Sequence, residues 1–423
     1  MLEIQHIRKD QGEEIIEGLK KRHFDAAPLV KEILELDTDW RASKGNLEKI
    51  AAEMNQISKQ IGLLFKEGKQ DEAVAAKAMT VQLKASEADL KAKVDELESK
   101  IQELMYQLPN VPHALVKAGK SELDNETVEE HGSVPNFDFK AIPHWEIAAN
   151  HNLIDFELGV KITGAGFPVY RGKGARLQRA LINFFLDEAE KAGYEEVMPP
   201  HLVNEASAIA TGQLPDKEGQ MYHDARDDLY LIPTGEVPIT NLYRNVIIPN
   251  DKFSVKLTGY TPCFRREAGS YGSDVRGLNR LHQFDKVEIV RIEHPDNSET
   301  ALNEMVDHIK NLLEKLGLQY RILRLCGGDT GFTSAMTYDF EVYSAAQDKW
   351  LEVSSVSRFD TFQANRLKLR YKNEDKKTQL CHTLNGSALA LPRIVASLLE
   401  NHQTENGVAI PECLHAFTGF TEI

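Results

Sequence analysis

Arg265, Arg266 and Glu267 close one strand-like run, and a second run, LHQFDKVEIV, begins at Leu281. Between the runs lie Gly269, Ser270, Gly272, Ser273 and Gly277, then Arg280, while Phe284 sits early in the second run. In an antiparallel pair of this kind, planar guanidinium forks can hold phosphate oxygens while a base stacks on an aromatic face. The same residues also describe a glycine-rich surface hairpin with solvated arginines. Glu352 and Ser355, in LEVSS, supply hard oxygens suited to Mg2+ bridging to phosphates, although a glutamate at a strand end is more often a plain surface group. GAG at Gly164 and RGKG at Arg171 complete neither of the common phosphate-loop patterns. Cys263, Cys326, Cys381 and Cys413 form no C-x-x-C pair and the 14 histidines include no H-E-x-x-H, so neither a structural zinc nor a disulfide framework is expected.

A site of this kind needs a scaffold, and 423 residues with 42% hydrophobic content suffice for two or three domains. The formal net charge of -15 opposes global attraction to a polyanion, so any nucleic acid must be met by local basic patches. The start of the chain has no charged-then-apolar signal pattern, and no apolar run approaches the ~20 residues of a membrane span. A cytoplasmic protein without membrane contact is expected.

From Ile33 a heptad appears. Ile33, Trp40, Leu47, Met54 and Ile61 form one row, and Leu36, Ser43, Ile50, Ile57 and Leu64 the other. After a break over residues 62–71, a second heptad runs through Leu83, Glu87, Leu90, Val94, Leu97, Ile101, Leu104 and Leu108 until Pro109. Two such helices joined by a short turn fold back antiparallel, and a first helix of ~33 residues makes an arm about 50 Å long. A bundle segment or a dimerising coiled coil would show the same heptads. Residues 41–93 carry ten Lys and Arg against seven acids, so the outer half is mildly basic in an acidic chain, a better place for RNA phosphates.

The polar run over residues 119–135 reads as a linker, dividing the chain into 1–110, a linker 111–135 and a second domain 136–423. Leu177, Leu181, Phe184 and Phe185 stripe a helix that ends near Gly193, before the strand-like YEEVMPPHLV. DLYLIP, FSVKLTG, QYRILRL, YDFEVY and WLEVSS are further strand candidates, interrupted by a helix from a Ser298 N-cap to Gly317. Strands without regular helix alternation predict an antiparallel sheet in an α+β domain.

FRREAGSYGSDVRGLNRLHQF resembles motif 2 of class II aminoacyl-tRNA synthetases in the form used by seryl-tRNA synthetases of bacterial type. PHWEIAANHNLIDFE, the motif 1 region with Pro200, and HTLNGSALALPR as motif 3 agree with that family. The resemblance implies a class II antiparallel sheet flanked by helices, preceded by a two-helix coiled-coil arm. It implies ATP-dependent serine–tRNA ligase activity, with the arm (residues about 31–108) gripping the long variable arm of serine tRNA. It also implies Mg2+ and a homodimer through residues about 177–203, and leaves selenocysteine tRNA open as a second substrate. Arg265 and Arg393 are then the catalytic residues, with Arg265 at the α-phosphate and the serine carboxylate. ATP would be bound by Arg265, Arg266, Glu267, Arg280, Leu281, Phe284, Glu352, Val353, Ser354, Ser355 and Arg393, with Glu352 and Ser355 holding the metal. Serine would be bound by Thr234, Gly235, Glu236, Arg265, Glu288, Asn385 and Ser387. Gly235, Val356, Arg358, Ala388 and the tail HAFTGFTEI depart from the family pattern without removing any of these groups. A synthetase-like relative that loads a carrier protein or acts as a regulator would lack the arm, and an inert coiled-coil scaffold would not need the arginine, glutamate and phenylalanine set.

Overall fold

The computed structural model describes every residue except 217–218 and 268–275. The loop residues Gly269, Ser270, Gly272 and Ser273 therefore lie outside the described residues. The chain forms two compact units: residues 2–20 with 24–109, and Met1 with 21–23 and 110–423.

In the first unit, short helices Ile4–Lys9 and Glu13–Leu19 precede α1 (Ala27–Lys66) and α2 (Gln70–Met105). Every heptad position named above is buried or half-buried, while the lysines of residues 41–93 are exposed, as a two-helix seam requires. α1 is longer than expected. Pro28 sits in its first turn, where a missing N–H costs nothing, and the helix continues through Gly62 to Lys66. Its 40 residues span about 60 Å. α2 stops at Met105, ahead of Pro109. Asp37 is buried at the base of α1, paired with Arg8 at 2.5 Å and Arg41 at 2.9 Å, which ties the first short helix to the arm.

The second unit is built on an eight-stranded sheet: β1 (Glu126–His131), β2 (Glu195–Glu196), β3 (Val255–Phe264), β4 (Gln283–Glu293), β5 (Tyr320–Arg324), β6 (Met336–Ser344), β7 (Lys349–Asp360) and β8 (His382–Ala390). The spatial order is β1-β5-β6-β7-β8-β4-β3-β2, antiparallel except for β2 beside β3. Helices α3 (Gly172–Lys191), α4 (Ser298–Lys315) and α5 (Leu391–Asn401) share one hydrophobic core with the sheet. Phe184 and Phe185 of α3, Met305 and Ile309 of α4, and Ile394 and Leu398 of α5 meet Val287, Ile289, Phe340, Val356 and Leu384 there. Because side chains alternate across a strand, Phe284, Lys286 and Glu288 of β4 stand on the face opposite Val287 and Ile289, as do Asn385 and Ser387 of β8 opposite Leu384. The β6–β7 register slips by one residue at Val353, a bulge beside Glu352 and Ser354.

Four expectations need correction. Residues 126–131, inside the expected linker, form β1 and pair with β5 at the sheet edge. YEEVMPPHLV is not one strand: only Glu195–Glu196 joins the main sheet, because the prolines at 199 and 200 cannot donate to a ladder. DLYLIP contributes Leu229–Leu231 to a separate three-stranded sheet with Leu202–Asn204 and His223–Asp224. The N-cap of α4 is Asn297. Ser298 is its first residue, its hydroxyl lying 3.0 Å from Pro295 O and 2.6 Å from His382 Nδ1.

Candidate active site

A cavity of about 580 Å3 opens on the sheet face that carries Lys286 and Glu288, with Pro392 and Arg393 from the first turn of α5 in its lining. The residues expected for ATP and serine all line it except Arg266 and Gly235. Arg266 turns aside, its guanidinium 5.9 Å from the Tyr222 ring, with its backbone N–H bonded to Gln220 O at 2.8 Å. Gly235 precedes the helix Glu236–Asn241; a Cβ there would come within 3.1 Å of Thr261 Oγ1 and Glu288 Cβ, so glycine relieves a tight fit.

Part of the lining is cationic. Arg265 closes β3, donates from Nε to Pro233 O at 3.3 Å and lies 5.2 Å from the centre of the Phe284 ring. Arg280 pairs with Glu267, which holds a left-handed backbone (φ 49°) at the last described position before the loop. Arg393 stands in the first turn of α5, where the strand-to-helix break at Pro392 aims it back over the sheet. Its Nη1 donates to Glu352 O at 2.6 Å and its Nε to Asn279 O at 3.1 Å.

The lining also holds two buried carboxylates and a buried lysine. Lys286 Nζ lies 2.5 Å from Glu288 Oε2 and donates to Thr234 Oγ1 at 2.8 Å, and Thr234 in turn donates to Glu288 at 3.1 Å. Gln363 Nε2 donates to Glu236 Oε1 at 2.5 Å, and Thr383 Oγ1 to Gln363 Oε1 at 2.7 Å, which fixes the orientation of that amide. Burial, then the charge of Glu288, pushes the Glu236 carboxyl up to about 7. Burial also raises Glu288, with Lys286 opposing. Lys286 and then Arg265 offset the charge of Glu288, whereas among the described residues no cation forms an ion pair with Glu236.

Along β7, Glu352, Val353, Ser354 and Ser355 also line the cavity. Ser354 donates its hydroxyl to Ser387 O at 2.6 Å, so its proton is already engaged. Ser355 pairs across the ladder with Asp339 and hydrogen-bonds that carboxyl, which burial and then the charge of Glu352 raise well above the ordinary range. Among the described residues no three His, Cys, Asp or Glu converge as a metal cage. The half-exposed Glu352 carboxylate and the Ser355 hydroxyl fit a hard cation that takes its remaining ligands from phosphate and water.

Lys286, Asn279, Gln363 and Asp339 were not singled out from the sequence. Lys286 carried a signal: in a strand that presents Phe284 and Glu288 to one face, residue 286 must share it. The other three come from separate elements and have no local pattern.

Residues 220–402 match the family described as tRNA synthetase class II core domain (G, H, P, S and T), and residues 1–112 the Seryl-tRNA synthetase N-terminal domain. A serine–tRNA ligase of Salinibacter ruber is 51% identical over 425 residues, covering 100% of this chain and 99% of that protein. One from Thermotoga maritima is 46% identical over 426 residues, covering all of both chains. Among solved structures, seryl-tRNA synthetase from Pyrococcus horikoshii complexed with ATP superposes with a TM-score of 0.91 at 32% identity, covering 100% of this chain and 99% of that one.

Proposed function

The chain belongs to the seryl-tRNA synthetases, and from that premise we propose that its sheet-face cavity joins a phosphate end to an ammonium-and-hydroxyl end, with Arg265 serving both. The activity is that of a serine–tRNA ligase. A serine carboxylate oxygen attacks the α-phosphorus of ATP, the bond to the bridging oxygen breaks and pyrophosphate leaves. A hydroxyl of the terminal ribose of serine tRNA then attacks the seryl carbonyl and AMP departs.

The observation that carries the site reading is the charge of the lining: Arg265, Arg280 and Arg393 share a single cavity with the buried Glu236, Glu288 and Lys286. ATP lies against the arginine end. Phe284 stacks on the adenine, the backbone at Leu281 reads its edge, and Arg265 stabilises charge at the α-phosphate. Arg280 reaches the terminal phosphate, Arg393 lies under the nucleotide, and Arg266, Glu267, Val353 and Ser354 complete its surroundings. The serine ammonium places a positive charge near Glu236 and Glu288. Thr234, Gly235, Asn385 and Ser387 surround its hydroxyl, so alanine would leave buried polar groups unpaired. Glu352 and Ser355 would hold Mg2+, whose chemistry is to neutralise phosphate charge.

The proposed division is a tRNA-binding domain 1–110, a linker 111–135 that contains β1, and a catalytic domain 136–423. A homodimer through residues about 177–203 is favoured by the exposed apolar side chains of Met198, 87% exposed, and Leu202. A cytoplasmic location is part of the same proposal; no helix among the described residues is long and apolar enough to cross a membrane.

Serine-dependent pyrophosphate exchange tests the site. Arg265→Ala and Arg393→Ala each lower it at least about a hundredfold. Excess chelator abolishes exchange and Mg2+ restores it. Wild-type exchange in either variant removes that arginine from the mechanism, and exchange that persists in chelator removes the metal.

A further inference from the structure

We propose that a closed hydrogen-bond circuit of His144, Glu400, Gln347 and Asn279 positions both the chain entering β4 and Arg393, and so acts through them on ATP. The proposal rests on reading the cavity as the ATP site. His144 and Glu400 have side chains with 0% exposure. The Leu278 N–H donates to His144 Nε2 at 2.8 Å. A backbone amide can only donate, so Nε2 carries no proton; the ring proton sits on Nδ1 and is donated to Glu400 Oε1 at 2.6 Å. Gln347 Nε2 donates to the same oxygen at 2.9 Å, and Gln347 Oε1 accepts from Asn279 Nδ2 at 2.9 Å. Leu278 and Asn279 are neighbours, so the ring closes. Every donor and acceptor in it has one allowed direction.

The circuit is anchored on both sides. Ser344 donates its hydroxyl to the second oxygen of Glu400, and the His144 backbone N–H donates to the first at 3.0 Å. Burial raises the Glu400 carboxyl, and the hydrogen bonds from His144 and Ser344 oppose it. Gly277 has φ 67°, and a Cβ there would lie 2.2 Å from His144 Nε2, so the chain can approach the imidazole only as glycine. At the outlet, Asn279 O accepts Arg393 Nε, and the next residues, Arg280 and Leu281, line the cavity. A buried carboxylate beside a neutral imidazole is costly, and an apolar pair would hold α5 to the chain more cheaply. What an apolar pair could not do is fix two successive backbone positions and a guanidinium in one geometry.

Three full-length variants test the circuit. Glu400→Gln sets an amide donor against the His144 Nδ1–H or the Gln347 amide. His144→Asn retains a donor toward Glu400 but withdraws the acceptor from Leu278. Gln347→Ala opens the ring at a half-buried turn residue, where folding is least at risk, and keeps the proposal testable if either buried variant fails to fold. In pyrophosphate exchange, KM for ATP rises at least about tenfold in the first two and about fivefold in the third, while KM for serine stays within about twofold. Loss of folded protein alone would lower the rate with both KM values unchanged. Unchanged KM for ATP in folded variants overturns the proposal. Arg393→Ala, run alongside, separates the two failures: wild-type behaviour there sinks the site reading, whereas a crippled Arg393→Ala with normal circuit variants sinks the circuit alone.

Discussion

Burial, and then the charge of Glu288, sets the pH behaviour of Glu236 in the proposed serine pocket. With the Glu236 carboxyl raised from 4.5 to about 7, the apo protein gains stability from this group below the ordinary carboxylate range and loses it as pH rises through about 7. Binding of an ammonium group favours the ionised form. kcat/KM for serine therefore increases with pH through about 7, and Glu236→Gln flattens that limb while lowering the plateau at least about tenfold. An unaltered limb in Glu236→Gln would assign the titration to another group. At this scale the motif residues were legible because Arg265, Phe284 and Glu288 sit in a long, specific pattern. Gln363 and Asp339 were not, since each matters through a partner, Glu236 or Ser355, that only the folded sheet brings near it.

The arm helices were legible as heptads because a two-helix seam has no other way to bury apolar surface. Their ends were not: Gly62 costs a helix only about 1 kcal/mol, which neighbouring seam contacts at Ile61 and Leu64 offset. β1 escaped notice because ETVEEH lacks apolar alternation. It is held by its backbone ladder and by acids that meet Arg324 and Lys310. The departing tail also finds a place, with Phe417 edge-on to Phe184 and Arg176 Nε donating to Phe417 O at 3.3 Å on α3. In α4, burial pushes the His308 imidazole down from 6.5 to about 4, with Glu188 opposing and Lys315 adding to the shift, and Nε2 has no hydrogen-bond partner among the described residues. A depressed histidine contributes stability above 6.5 that is lost as pH falls toward about 4. His308→Leu makes the decline of Tm across that range shallower, measured by thermal unfolding at stepped pH; an unchanged slope would place the acid sensitivity elsewhere.

For the whole molecule, the proposed division is serine activation in the cavity unit and tRNA capture by the helical arm. The net charge of -15 favours that division, because a polyanion is better met by the exposed lysines of residues 41–93 than by the surface at large. The most direct measurement removes the outer half of α1 and α2, rejoins the helices with a short turn, and compares two rates with the full chain. Serine-dependent pyrophosphate exchange stays within about twofold in a protein that remains folded, while aminoacylation of serine tRNA at moderate salt falls at least about a hundredfold and loses most of its salt dependence. Truncated protein that charges serine tRNA as efficiently as the full chain would contradict the account.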